Sequence, residues 1–120
     1  ENLVKIKINI HCKEEYIMAK KLTNQNFQQE VLNSSQPVLV DFYATWCGPC
    51  KMLSPVIEEL SQEASGYSVG KVDVDEEPAL AAQFNIMSVP TLMVFENGKV
   101  SAVSAGYRPK EQILEMIKNA

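Results

Sequence analysis

The sequence predicts an α/β fold in which a central mixed sheet of four to five strands carries helices on both faces. Three observations lead there. Apolar runs and helical periodicities alternate along the chain in the order β-α-β-α-β-α-β-β-α. The run Val38-Leu39-Val40-Asp41-Phe42-Tyr43 is nearly all apolar, as a strand covered on both sides must be. Finally, Trp46-Cys47-Gly48-Pro49-Cys50 lies where that strand hands over to an amphipathic stretch.

Each element follows from its residues. Lys20-Lys21-Leu22 reads as a short edge strand, and Thr23 or Asn24 caps a helix with Phe27, Val31 and Leu32 on one side. Pro37 ends the following loop. Beyond Cys47, Leu53, Val56, Ile57 and Leu60 fall at i, i+3, i+4 and i+7, a core face. Pro55 is expected to kink this helix and Gly66 to stop it. Tyr67–Val74 forms the next strand. Asp75-Glu76-Glu77-Pro78 then opens a short helix ending near Phe84, with its carboxylates at the favourable N-terminal end. Thr91–Phe95 is another apolar strand, and Asn97-Gly98 signals a hairpin into Lys99–Ser104. Gly106 to Pro109 leads into a last helix with Ile113, Leu114 and Ile117 inward.

The totals bound the function. A chain of 120 residues, 46% hydrophobic and 22% charged, buries an ordinary core as one domain. A net charge of −4 with no basic cluster argues against nucleic acid as a partner. The apolar runs fall well short of the roughly 20 residues of a membrane helix, so no membrane partner is expected. Three cysteines do not make a disulfide framework, which points to a reducing, cytoplasmic location and a task other than stapling for the pair at 47 and 50.

Residues 1–17 stand apart from a domain expected over 18–120. They hold three basic and three acidic residues, so the whole net charge of −4 belongs to the rest. Lys13-Glu14-Glu15 is encodable by a purine-rich run resembling a bacterial ribosome-binding site, suitably spaced before Met18, so the segment reads as translated leader or added sequence. In the rival reading Val4, Ile6, Ile8, Ile10 and Cys12 form one face of an extra strand. That strand adds to a sheet edge or gives an otherwise monomeric protein a weak dimer through residues 3–12. Cys12 is then either incidental or a regulatory or intermolecular thiol. A zinc site from His11, Cys12, Cys47 and Cys50 is disfavoured by the opposed directions of its adjacent ligands, and no metal is expected.

Two thiols two residues apart at a strand-to-helix junction read as a redox pair. Only a thiolate attacks, and a helix N-terminus stabilises one through its free N–H groups and partial positive charge. Cys47, preceding the helix, is expected to be the attacking thiol and the more exposed of the two; Cys50 lies one turn inward. Asp41 is a charge in an apolar strand, costly to bury unless paired or neutralised, though it can also be a solvated strand end.

Four ordered motifs carry a resemblance. Val38–Phe42 followed by Ala44-Thr45-Trp46-Cys47-Gly48-Pro49-Cys50-Lys51 resembles the active-site region of the thioredoxin family; Lys71-Val72-Asp73-Val74-Asp75 resembles its central strand. Ser88-Val89-Pro90-Thr91 resembles its cis-proline loop, and Phe95-Glu96-Asn97-Gly98 its hairpin. The match runs from about Lys20 to the C-terminus and leaves out the N-terminal extension. The resemblance implies a thioredoxin fold and a protein-disulfide reductase that holds no bound cofactor. Its Cys47-Cys50 disulfide is recharged by a thioredoxin reductase and, indirectly, NADPH. It implies that Cys50 resolves the mixed disulfide formed at Cys47 and that Asp41, beneath Cys50, accepts its proton as general base. Lys71 would partner Asp41, the alternative being a plain surface lysine. Trp46, Gly48, Pro49, Val89, Pro90, Ala105 and Gly106 would form the apolar surface on which disulfide-containing proteins dock, with Pro90 cis; for Trp46 the alternative is core filling.

Two other functions compete. An oxidase or isomerase needs a more oxidising pair, against which the resemblance of Gly48-Pro49 to the reducing members of the superfamily argues. A binding module using the same surface as a clamp would not need both thiols.

Overall fold

The computed structural model describes residues 19–120. Five strands form one sheet in the order β1-β3-β2-β4-β5: β1 (Lys20–Lys21), β2 (Val38–Tyr43), β3 (Ser68–Asp73), β4 (Thr91–Glu96) and β5 (Lys99–Ala105). The sheet is mixed, since β1 and β2 both run parallel to β3 whereas β4 is antiparallel to β2 and to β5. Three α-helices join them: α1 (Gly48–Glu63), α2 (Pro78–Gln83) and α3 (Lys110–Lys118). The observed order of elements is the expected one except for the first helix, between β1 and β2, which is not α-helical.

Alternation along the strands divides the core into two layers. Leu39 of β2 and Leu92 and Val94 of β4 pack with Leu53, Ile57 and Leu60 of α1 and Ile113 and Ile117 of α3. Val38, Val40 and Phe42 point to the other face with Met93 and Phe95, against Phe27, Val31 and Leu80. Phe27, Phe84 and Phe95 form a ring cluster there, with centroids 5.2 to 5.5 Å apart. With layers on both sides, the first five residues of β2 are all buried.

Two local expectations change. The segment after Thr23 is a turn followed by a single π-helical turn over Gln28–Leu32, its Asn33 N–H reaching back five residues to the Gln28 carbonyl. It is held by its start: the Thr23 hydroxyl accepts from the N–H groups of Gln25 and Asn26, and Asn26 Oδ1 accepts from the Thr23 N–H at 2.7 Å. α1 runs on through Pro55, which forgoes one backbone bond. Gly66 does not stop α1: the helix ends at Glu63 because Ala64 turns extended (ψ 129°), and Gly66 (φ +82°) serves the turn into β3. The hairpin is as expected, Asn97 and Gly98 both being left-handed (φ 55° and 80°) in the pattern of a two-residue turn matched to strand twist. The suggested strand at residues 3–12, with His11 and Cys12, lies outside the described residues.

Candidate active site

The end of β2 and the start of α1 build the centre of the site. Ala44 accepts the N–H of Cys47, and Cys47 then caps α1 in an extended conformation (φ −91°, ψ 121°). Its sulfur accepts the N–H of Cys50 at 3.2 Å, so it is the atom that receives a free donor of the helix end. Pro49 falls in the first turn, where a missing N–H costs nothing. Cys47 and Cys50 are disulfide-bonded with Cα atoms 5.2 Å apart. The expected contrast in exposure is absent, the two residues being 5% and 4% accessible. Both are enclosed by Ala44, Tyr43, Val74 and Val89, so what distinguishes them is position on the helix.

A second loop closes on the pair. The Val89–Pro90 peptide bond is cis, and the Val89 carbonyl oxygen lies 3.6 Å from the Cys47 sulfur. The Thr91 hydroxyl donates to the Ser88 carbonyl at 2.7 Å, tying the loop to the start of β4. Gly106 donates its N–H to the Pro90 carbonyl at 2.8 Å and holds φ at +91°, a conformation that favours glycine. Pairing of Ala105 with Thr91 brings the end of β5 to the same place. Trp46 is 69% exposed and its indole N–H donates to Asp75 at 2.8 Å, which excludes core filling. Gly48 and Pro49 are exposed beside it. Trp46, Val74, Ile86, Met87 and Val89 line an open groove of about 460 Å³, with Met87 projecting fully from its rim.

A cluster of charges spans β2, β3 and α1. Asp41 is 4% accessible, and its Oδ1 has no hydrogen-bond partner, which excludes a solvated strand end. Burial pushes its carboxyl up to about 7; Lys71 pulls against that rise and Glu58 adds to it. Lys71 stands directly across the register from Asp41, but its ammonium forms its ion pair with Glu58, at 3.2 Å. The expected partnership is therefore a through-space one, because α1 places a nearer carboxylate above the lysine. Lys71 is not a plain surface lysine, since its side chain is only 23% accessible.

Glu58, Asp75 and Met87 escape a reading of the sequence alone. Glu58 follows the core residue Ile57 and looks like one of several helix-surface acids; Asp75 lies 29 residues from the indole it holds. Among the described residues no group of three or more His, Cys, Asp or Glu side chains could hold a metal ion, and no helix is long and apolar enough to cross a membrane.

Comparison with known proteins agrees with this geometry. The thioredoxin family model matches residues 18–119. A thioredoxin of Rickettsia felis is 44% identical over 104 residues, 86% of this chain and 99% of that protein. One from Alicyclobacillus acidocaldarius is 50% identical over 93 residues (77% and 88%), and thioredoxin 1 of a Nostoc species 45% over 101 (83% and 94%). Family members carry electrons on their cysteine pair, need no bound cofactor, and act with a thioredoxin reductase and disulfide substrates. From the strand-to-helix junction that bears Cys47 and Cys50 out to the last helix, the chain belongs to the thioredoxin family of thiol–disulfide oxidoreductases.

Proposed function

We propose that this oxidoreductase is a general protein-disulfide reductase of the cytoplasm and an electron donor in redox homeostasis. The observation that carries the reading is the Cys47 sulfur seated as helix cap, accepting the Cys50 N–H beside the cis Val89–Pro90 bond. That seat favours a thiolate at Cys47 over one at Cys50. The Cys47 thiolate attacks one sulfur of a substrate disulfide; the other sulfur leaves as a thiolate and a mixed disulfide forms. Cys50 then gives its proton to Asp41 and attacks the Cys47 sulfur. The Cys47–Cys50 bond forms, the bond to substrate breaks, and the second substrate sulfur leaves with the electron pair. Intramolecularity makes this second step fast. The substrate has gained two electrons, which a thioredoxin reductase returns to the cysteine pair from NADPH.

Docking falls to Trp46, Gly48, Pro49, Val89, Pro90, Ala105 and Gly106. An extended substrate segment lies along the Val89 backbone, and its side chains meet apolar surface. Such contacts are tolerant of sequence, which suits many substrates. Reduction of insulin disulfides checks the assignment: wild type turns over, Cys47→Ser loses turnover by at least about a hundredfold, and an equal rate in both would leave only a binding module. Equilibration of the pair with glutathione checks the direction, with a poise near that of oxidases counting against a reductase.

A further inference from the structure

The charges shared by β2, β3 and α1 are arranged in a way the redox chemistry alone does not explain. Glu58 is fixed at both carboxylate oxygens. Oε1 accepts the backbone N–H of Ala19 at 3.1 Å, just before the edge strand, and Oε2 meets the Lys71 ammonium at 3.2 Å. Both side chains of that pair are largely shielded, 23% and 19% accessible, so solvent screens their charges less than at an open surface. Asp41 faces Lys71 from β2, yet one of its oxygens remains without a hydrogen bond. Its neighbour on β4 is the apolar Leu92.

We propose that Glu58 is a positioning residue for the proton relay: by anchoring the Lys71 ammonium on α1 it keeps that cation from neutralising Asp41. Asp41 thereby stays able to take up and release a proton near neutrality. An ammonium free to close on Asp41 would hold it as a permanent carboxylate, a poor acceptor for the thiol proton. Glu58 also acts directly, as a like charge over the same strand pair. Besides these two, Tyr43 further along β2 also interacts with Asp41, and on the proposed function the Cys50 thiol of the reduced protein faces it. The proposal rests on Asp41 acting as the base, and its test separates the two ideas.

The Asp41 carboxyl is titrated by carbon-13 NMR in the oxidised protein, where no thiol intrudes. Glu58→Gln keeps the shape and the acceptor for Ala19. It should lower the midpoint, a roughly tenfold loss of proton affinity. Lys71→Gln should move it the opposite way, and Glu59→Gln, whose carboxylate pairs with Lys110 on the surface, should leave it in place. An unmoved midpoint in Glu58→Gln overturns the proposal. So does a shift of the same sign in Glu58→Gln and Lys71→Gln, which marks simple loosening of the site. Single-turnover release of substrate from the mixed disulfide, followed against pH, should shift with the NMR midpoint. A shift by NMR without one in kinetics supports the hold of Glu58 on Asp41 and removes Asp41 as the base.

Discussion

A buried carboxyl group is easier to keep as an acid than as an anion, and Asp41, 4% accessible, is held at about 7 for that reason. The stability consequence has a definite sign. Unfolded, Asp41 releases its proton near 3.8; folded, it keeps it until about 7. Its contribution is complete below the lower value, declines as pH rises between the two, and is lost above the upper one. Asp41→Asn replaces the acid with a neutral group of similar shape. Wild type and variant should be close in stability at pH 3.5, and the variant should lead above pH 8 by up to about 4 kcal/mol. Urea midpoints of the oxidised proteins at both values check this; a gap that ignores pH contradicts the burial argument. Asp41 was legible in the sequence because a charge inside Val38–Tyr43 breaks an apolar pattern. Glu58 was not, because its importance arises only when α1 lies across β3 and sets it against Lys71. Equal burial of Cys47 and Cys50 was likewise invisible, since it depends on Val89, 42 residues away.

At the level of elements, strands and hairpin were read from alternation and turn chemistry, which are local, whereas the π-helical turn and the end of α1 were not. Glu63 and Ala64 carry no stop signal as strong as Gly66, and the widened turn depends on Phe27 and Val31 both reaching the same core layer. Gly70 shows how closely elements are fitted. It sits on β3 between β1 and β2, and a Cβ there would lie 2.5 Å from Leu22 Cδ1 and 2.9 Å from its Cγ. Leu22 is buried beneath the edge strand, so its side chain has little room to yield. Gly70→Ala should cost about 1–3 kcal/mol by overpacking. Gly48→Ala meets no atom within 4 Å and should stay within about 1 kcal/mol of wild type. Chemical denaturation of the pair checks the contrast; since Gly→Ala reduces the freedom of the unfolded chain and by itself favours folding, equal losses would rule out contact with Leu22 as the source of the cost at Gly70.

Across the whole molecule, the sheet divides an inner frame from its margins. β2 and β4 lie side by side with apolar layers on both faces, and nearly all their residues are buried. β5 is an edge whose residues are mostly exposed, and β1 is two exposed residues on the opposite edge. Opening β2 or β4 therefore disrupts both layers, while fraying β1 or β5 exposes little apolar surface. The proposed site spans this divide. Asp41 and Thr91 belong to the frame, whereas Ala105 and Gly106 come from the end of the β5 edge and are tied in by the bond to Pro90. Native-state hydrogen exchange should therefore show β2 and β4 amides exchanging only with global unfolding. Amides of β1 and of β5 should exchange at least about tenfold faster through local opening, with Gly106 the exception at the margin because its N–H is held by the Pro90 carbonyl. Uniform protection across all five strands would mean that the edges open only with the core. The proposed docking surface would then have no looser half with which to accommodate different substrates, and its tolerance would have to come from backbone recognition alone.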